Sequence, residues 1–316
     1  MTRTSSITQI TLGAVAALTL STATQGVAQS GAISIPPEDP IQLTQFLEDI
    51  GASERINLSG KLRMLSQRIP AAACTYHAGI AAEQSNAVLH AAKVEFDTII
   101  AALEFGDETL NIIGEEQRRK TLAAIANLHA KYDPLHAAFD DIEATGGTDE
   151  EVLELAEHNM EVLDAAKLLV SEISGQYADP TALLQSDALT IDIAGRQRML
   201  TQKISKEVCL IMSGIYADAS LETLGGTVSM FETSLNALIF GMDGAGISPA
   251  PTEEILTGLE IVQADWAEIS DYVATVSAGG SVDEATRAMI FTGLNKTMAD
   301  MNAVVGMYTE NSKLGL

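Results

Sequence analysis

Residues 56–69 read INLSGKLRMLSQRI, and residues 191–204 read IDIAGRQRMLTQKI. At this offset of 135, Ile56 falls on Ile191, Gly60 on Gly195, Arg63-Met64-Leu65 on Arg198-Met199-Leu200, Gln67 on Gln202 and Ile69 on Ile204. The same offset pairs Leu103 with Leu238, Phe105-Gly106 with Phe240-Gly241, and Cys74 with Cys209, the only two cysteines of the chain. Chance similarity does not hold one register over such a distance, so the chain reads as a tandem duplication spanning 41–179 and 180–316. Whatever one half folds into, the other must match it, and the two halves are expected to meet about a pseudo-two-fold axis.

Each half reads as four helices. The blocks are about 44–83, 85–105, 109–144 and 149–177 in the first, and 182–217, 220–240, 252–278 and 282–312 in the second. Glycine-containing breaks such as Gly146-Gly147-Thr148 and Gly279-Gly280-Ser281 separate several of them. Apolar residues recur at helical spacing, as in Leu153, Ala156, Met160, Leu163 and Val170, and no alternating strand pattern occurs. An apolar fraction of 47% with only 4% aromatics agrees with helices carrying a real core. Short links favour antiparallel neighbours, which predicts an all-α fold of two tandem up-down four-helix bundles forming a pseudo-two-fold intramolecular pair. Pro70, where the second half has Ser205, is expected to kink or open the first helix.

The N-terminus carries Arg3, an apolar run from Ile10 to Leu20, and small residues through Gly26-Val27-Ala28. That pattern predicts a signal peptide over 1–28, cut after Ala28, and a periplasmic or secreted protein; the run is too short to span a bilayer. Residues 29–40, ending in IPPEDP, read as a flexible leader. No later apolar stretch is long enough to cross a membrane, so no stable membrane insertion is expected after cleavage. The chain has 18 basic and 43 acidic residues, a net charge of -25. Such a surface repels phosphate backbones and anionic lipid, which argues against a nucleic-acid or membrane-surface partner.

Ile56, Gly60, Arg63, Gln67 and Cys74 share one stripe of the first helix, and Ile191, Gly195, Arg198, Gln202 and Cys209 share the equivalent stripe of the fifth. Glycine inside a helix costs about 1 kcal/mol against alanine and asks for a reason, such as a closely approaching backbone or ligand. Two cysteines in an exported chain predict one disulfide, Cys74–Cys209. Equivalent residues can bond only beside the pseudo-two-fold axis, so the two helices should face each other there. If they run parallel, Arg63 and Arg198 also face each other, and a bound anion would relieve their repulsion. The competing expectation is that each arginine pairs with a local carboxylate. Arg55, Lys61, Arg63, Arg68, Arg196, Arg198, Lys203 and Lys206 concentrate positive charge on these two segments, with Lys61, Arg68, Arg196 and Lys203 the members best suited to a solvated face.

The two motifs resemble the P-box of PilJ/NarX-like sensory domains, found in type IV pili methyl-accepting chemotaxis transducers and in nitrate/nitrite sensor kinases. The resemblance implies periplasmic four-helix bundles with a small anion, nitrate or nitrite, held between paired motif arginines. It assigns ligand binding to Arg63 and Arg198, close backbone approach to Gly60 and Gly195, and neighbouring positions to Ser59, Ala194, Met64 and Met199. Asp192 stands where the motif has the asparagine kept at Asn57, which departs from two identical half-sites. Family sensors carry transmembrane and cytoplasmic signalling regions not found here, so an unidentified protein partner would have to read the bound state. The alternative is an envelope- or pilus-associated interaction protein in which the motif seam is only a helix interface. No enzyme motif such as G-x-S-x-G or H-E-x-x-H occurs, and no enzyme, cofactor or metal is expected; Cys74-x-x-His77 is a metal pair only if the disulfide does not form.

Overall fold

In a computed structural model, residues 40–177 and 185–313 are described, with side chains over 54–177 and 189–312. The expected signal peptide over 1–28 and all but the last residue of the expected leader over 29–40 lie outside the described residues. Only Pro40 of the leader is included, and it opens the first helix, a position where its missing N–H costs nothing.

Nine α-helices are described: α1 (Pro40–His77), α2 (Ala82–Phe105), α3 (Arg119–Tyr132), α4 (His136–Thr145), α5 (Asp149–Tyr177), α6 (Gln185–Ser213), α7 (Ala217–Phe240), α8 (Glu253–Ser277) and α9 (Glu284–Lys313). Helices α6 to α9 form one four-helix bundle, in which α6 packs on α7 and α9, and α8 joins those two. The first half has the same plan with its third helix divided into α3 and α4, both packed on α5 and touching α2. The described residues from 41 onward belong to one compact unit. Among the described residues the only extended pairings are two isolated bridges, Asp107–Ile112 and Met242–Ile247.

The division of the third helix departs from the continuous 109–144 block read in the sequence. Pro134 has no N–H to give and restricts Asp133, so the chain tightens into a 3-10 turn over Asp133–Leu135 before α4 begins. Ile269 occupies the equivalent position in the second half, and α8 runs through it unbroken. Upstream, the chain leaves α2 through Gly106, turns over Glu108–Leu110 and reaches α3 only at Arg119. Pro70 does not interrupt α1, which stays helical to His77. It removes one backbone donor and is buried beside Tyr132, Leu135 and Phe139.

The duplication persists in backbone detail. Gly106 and Gly241 end α2 and α7 at φ +82° and +80°, and a side chain on Gly106 would strike the Gly114 carbonyl. Ala81 and Tyr216, equivalent residues, both precede the second helix of their half at positive φ. One continuous hydrophobic core runs through both halves, from Leu62, Leu65 and Phe96 to Phe231, Leu259 and Met301.

Candidate functional site

Cys74 and Cys209 form a disulfide with Cα atoms 6.1 Å apart. Eleven residues upstream on both helices, equivalent residues meet again. A methyl group on Gly195 would lie 3.5 Å from Nη2 of Arg63 and 3.6 Å from Nη2 of Arg198; one on Gly60 would lie 3.8 Å from each. Equal residues meeting at two levels requires α1 and α6 to run parallel and in register about a pseudo-two-fold axis. Both guanidinium groups therefore converge on one point between two glycines in helix interiors. A side chain at either glycine would occupy that space.

The convergence costs electrostatic energy. Arg63 is 8% exposed and Arg198 3% exposed. Arg63 donates through Nη1 to Asp192 Oδ1 at 2.8 Å, across the two halves. Arg198 donates through Nη1 to the neutral Asn302 Oδ1 at 2.6 Å. Nε of both arginines is buried without a hydrogen-bond partner. Burial, with Arg63 adding like-charge repulsion, lowers the Arg198 guanidinium to about 10. Burial alone would push the Asp192 carboxyl up, but Arg63 and Arg196 together hold it below its ordinary value.

The arginines, equivalent in sequence, thus differ in surroundings. Arg63 has a carboxylate, though from the opposite half, whereas the expected local carboxylate for Arg198 is replaced by an amide. The other basic residues divide by burial. Arg55, like the two site arginines, and Lys206 are buried, Arg196 is exposed, and Lys61, Arg68 and Lys203 are intermediate. Ser59 donates to the Ile56 carbonyl of its own helix, and Ala194, Met64 and Met199 belong to the hydrophobic core.

Three participants were not singled out by the motif. Asn302 sits on α9, where the equivalent residue of the first half is Lys167, so the repeat gave no signal for it. Lys206 and Glu207 replace Ala71 and Ala72, charged residues at positions that are core in the first half, and that mismatch was readable. Lys206 crosses the seam to donate to Gln67 Oε1 at 2.8 Å and Asn159 Oδ1 at 2.6 Å. Burial is the main cause that lowers it to about 7. Glu207 is engaged by Lys203 and by Thr223.

Cys74 is consumed by the disulfide, and His77 bonds the Gly146 carbonyl and Asp149. Among the described residues, no group of three His, Cys, Asp or Glu could hold a metal, and no helix is long and apolar enough to cross a membrane.

The PilJ family model, described as the type IV pili methyl-accepting chemotaxis transducer N-terminal domain, matches residues 49–157 and again 181–289, well over half of the chain. The chain belongs to the PilJ family. Each match contains one copy of the motif with its glycine and arginine, so the two converging arginines come one from each PilJ domain. The domain is a sensory one, which places this duplicated PilJ protein among sensory modules. No curated protein matches the chain.

Proposed function

We propose that the protein is an exported, periplasmic binding module in which a small anion of the nitrate or nitrite kind sits between Arg63 and Arg198, and whose occupancy is read by a protein partner. The observation that carries this reading is the convergence of both Nη2 atoms on one point between Gly60 and Gly195, with both Nε atoms buried and unpartnered. Like charges are not brought together in a protein interior without something to offset them. Arg63 has Asp192; Arg198 has only an amide, and an anion in the cleft would supply the missing charge and accept from planar donors on both sides. The PilJ domain is that of chemotaxis transducers, which signal to a protein partner, and this supports a partner here.

A second reading keeps the seam as architecture, in an envelope- or pilus-associated interaction protein. The Arg63–Asp192 ion pair favours it, since that pair joins the two halves without any ligand. Isothermal titration of the mature protein with nitrate, nitrite and chloride separates the two. Saturable binding of nitrate or nitrite that falls by about 10- to 100-fold in Arg198→Ala, the range for a charge-assisted hydrogen bond, supports the site. Absence of binding by any of the three, or binding unchanged in Arg198→Ala and Arg63→Ala, leaves the seam as a helix interface.

A further inference from the structure

We propose that Asp192 sets the charge class of ligand the cleft accepts. By neutralising Arg63 it leaves Arg198 as the one unbalanced charge at the cleft, so singly charged anions are taken and doubly charged ones rejected. The proposal rests on the anion-binding reading above and adds its selectivity.

Four contacts carry it. Asp192 Oδ1 accepts from Arg63 Nη1 at 2.8 Å, and Oδ2 accepts from Arg196 Nη2 at 2.6 Å, so both carboxylate oxygens are held. Arg196 is about half exposed and its charge is screened by water, whereas the Arg63 side chain is 10% exposed. Across the cleft, Asn302 holds Arg198 in the same way, by Nη1, yet brings no charge. Glu95, the carboxylate that acts on Arg198 from a distance, is already paired with Lys61 at 3.0 Å.

The second half therefore supplies the same grip on each guanidinium, once from α6 and once from α9, with different chemistry. Each grip holds Nη1 and leaves Nη2 turned to the cleft, so Asp192 and Asn302 are positioning residues. Only Asp192 also changes the charge. At its equivalent position the first half has the neutral Asn57, so one side chain creates the difference. A monoanion beside a net single positive charge gives a neutral complex. A dianion would leave an unbalanced negative charge between two largely buried guanidinium groups and beside the Asp192 carboxylate, itself about one-third exposed, which is disfavoured. Asp192→Asn keeps an oxygen acceptor for Arg63 while removing the charge, and so turns the cleft into a doubly positive one. Asn302→Asp makes the opposite change and leaves no unbalanced charge.

The test is isothermal titration of the full disulfide-bonded protein with sodium nitrate and sodium sulfate at constant ionic strength, in wild type, Asp192→Asn and Asn302→Asp. The expected result is nitrate binding by wild type with sulfate at least about tenfold weaker, and a shift of the ratio toward sulfate by about tenfold or more in Asp192→Asn. Asn302→Asp should lose both anions. A wild type that takes sulfate as tightly as nitrate, or an Asp192→Asn protein with the same ratio as wild type, overturns the assignment while leaving an anion site in place. No heat from either anion in wild type and Asp192→Asn alike overturns the site itself and the assignment with it.

Discussion

Gly60 and Gly195 put the account at risk one atom at a time. Both lie inside helices, so alanine should raise helix stability by up to about 1 kcal/mol, and the new methyl would meet the arginine Nη2 atoms at ordinary contact distances. Gly195→Ala is therefore expected to melt no lower than wild type in the absence of ligand yet to bind nitrate more weakly; calorimetric melting and titration of one sample check both. Lys206 gives a prediction in pH. Its folded value is lowered to about 7 from 10.5, so between those values the unfolded chain holds a proton that the folded chain does not, and stability rises with pH across that window. Lys206→Met removes this titration and should flatten the rise, while losing about 1–3 kcal/mol from the stranded oxygens of Gln67 and Asn159. Urea denaturation at about pH 7 and about pH 9 measures it; parallel stability profiles for wild type and variant would contradict a buried, depressed lysine. At this scale Arg63 and Arg198 were legible because the repeat prints them twice. Asn302 was not, because a neutral side chain on the last helix belongs to no motif and has Lys167 for its equivalent.

The elements were legible wherever the duplication holds and illegible where one half departs from it. Four helices with short links were read correctly in the second half, and α8 lies close to its expected block. In the first half, the region after α2 was read as helix through 144, but Gly114 at φ +73° and Pro134 break it, and a side-chain clamp replaces helical hydrogen bonds. Arg55 donates to the Leu103 and Gly114 carbonyls, both at 2.7 Å. The buried Glu116 accepts from Tyr177 Oη at 2.6 Å and from the backbone N–H groups of Gln117 and Arg118, and the Arg118 guanidinium stacks 3.7 Å from the Tyr177 ring centre. The second half has Thr190, Pro251 and Ser312 at the positions of Arg55, Glu116 and Tyr177, so no comparison of the repeats could reveal the clamp. Glu116→Ala leaves the Arg55 charge buried without its carboxylate, 3.7 Å away in wild type, and should cost about 3–5 kcal/mol in urea denaturation. A loss under about 1 kcal/mol would mean that the segment is held by packing alone.

For the molecule as a whole, the two cysteines and their common offset were enough to place α1 against α6, and the disulfide fixes that placement. It closes a loop of 135 residues, for which chain entropy gives about 4–5 kcal/mol of stabilisation. The Cys74→Ser, Cys209→Ser double variant should lose stability of that order in denaturant. Because the bond lies on the same helix pair as the arginines, the double variant should also bind nitrate more weakly. The exchange of Asn57 for Asp192 already marks the pseudo-symmetric pair as unequal in the sequence, but it does not show that Asp192 reaches across to Arg63 while Asn302 holds Arg198. That inequality follows from Asp192 and Asn302, and it divides the expected behaviour of the two arginines. Arg63→Ala removes a partner of Asp192 and should destabilise the ligand-free protein, whereas Arg198→Ala removes an unbalanced buried cation. The most direct measurement is the melting temperature of wild type and Arg198→Ala, each with and without nitrate. An anion site predicts that Arg198→Ala melts at or above wild type without nitrate, and that nitrate raises the melting temperature of wild type only. An Arg198→Ala protein that melts lower than wild type by the same amount in both conditions would contradict the account and make the arginine pair a structural one.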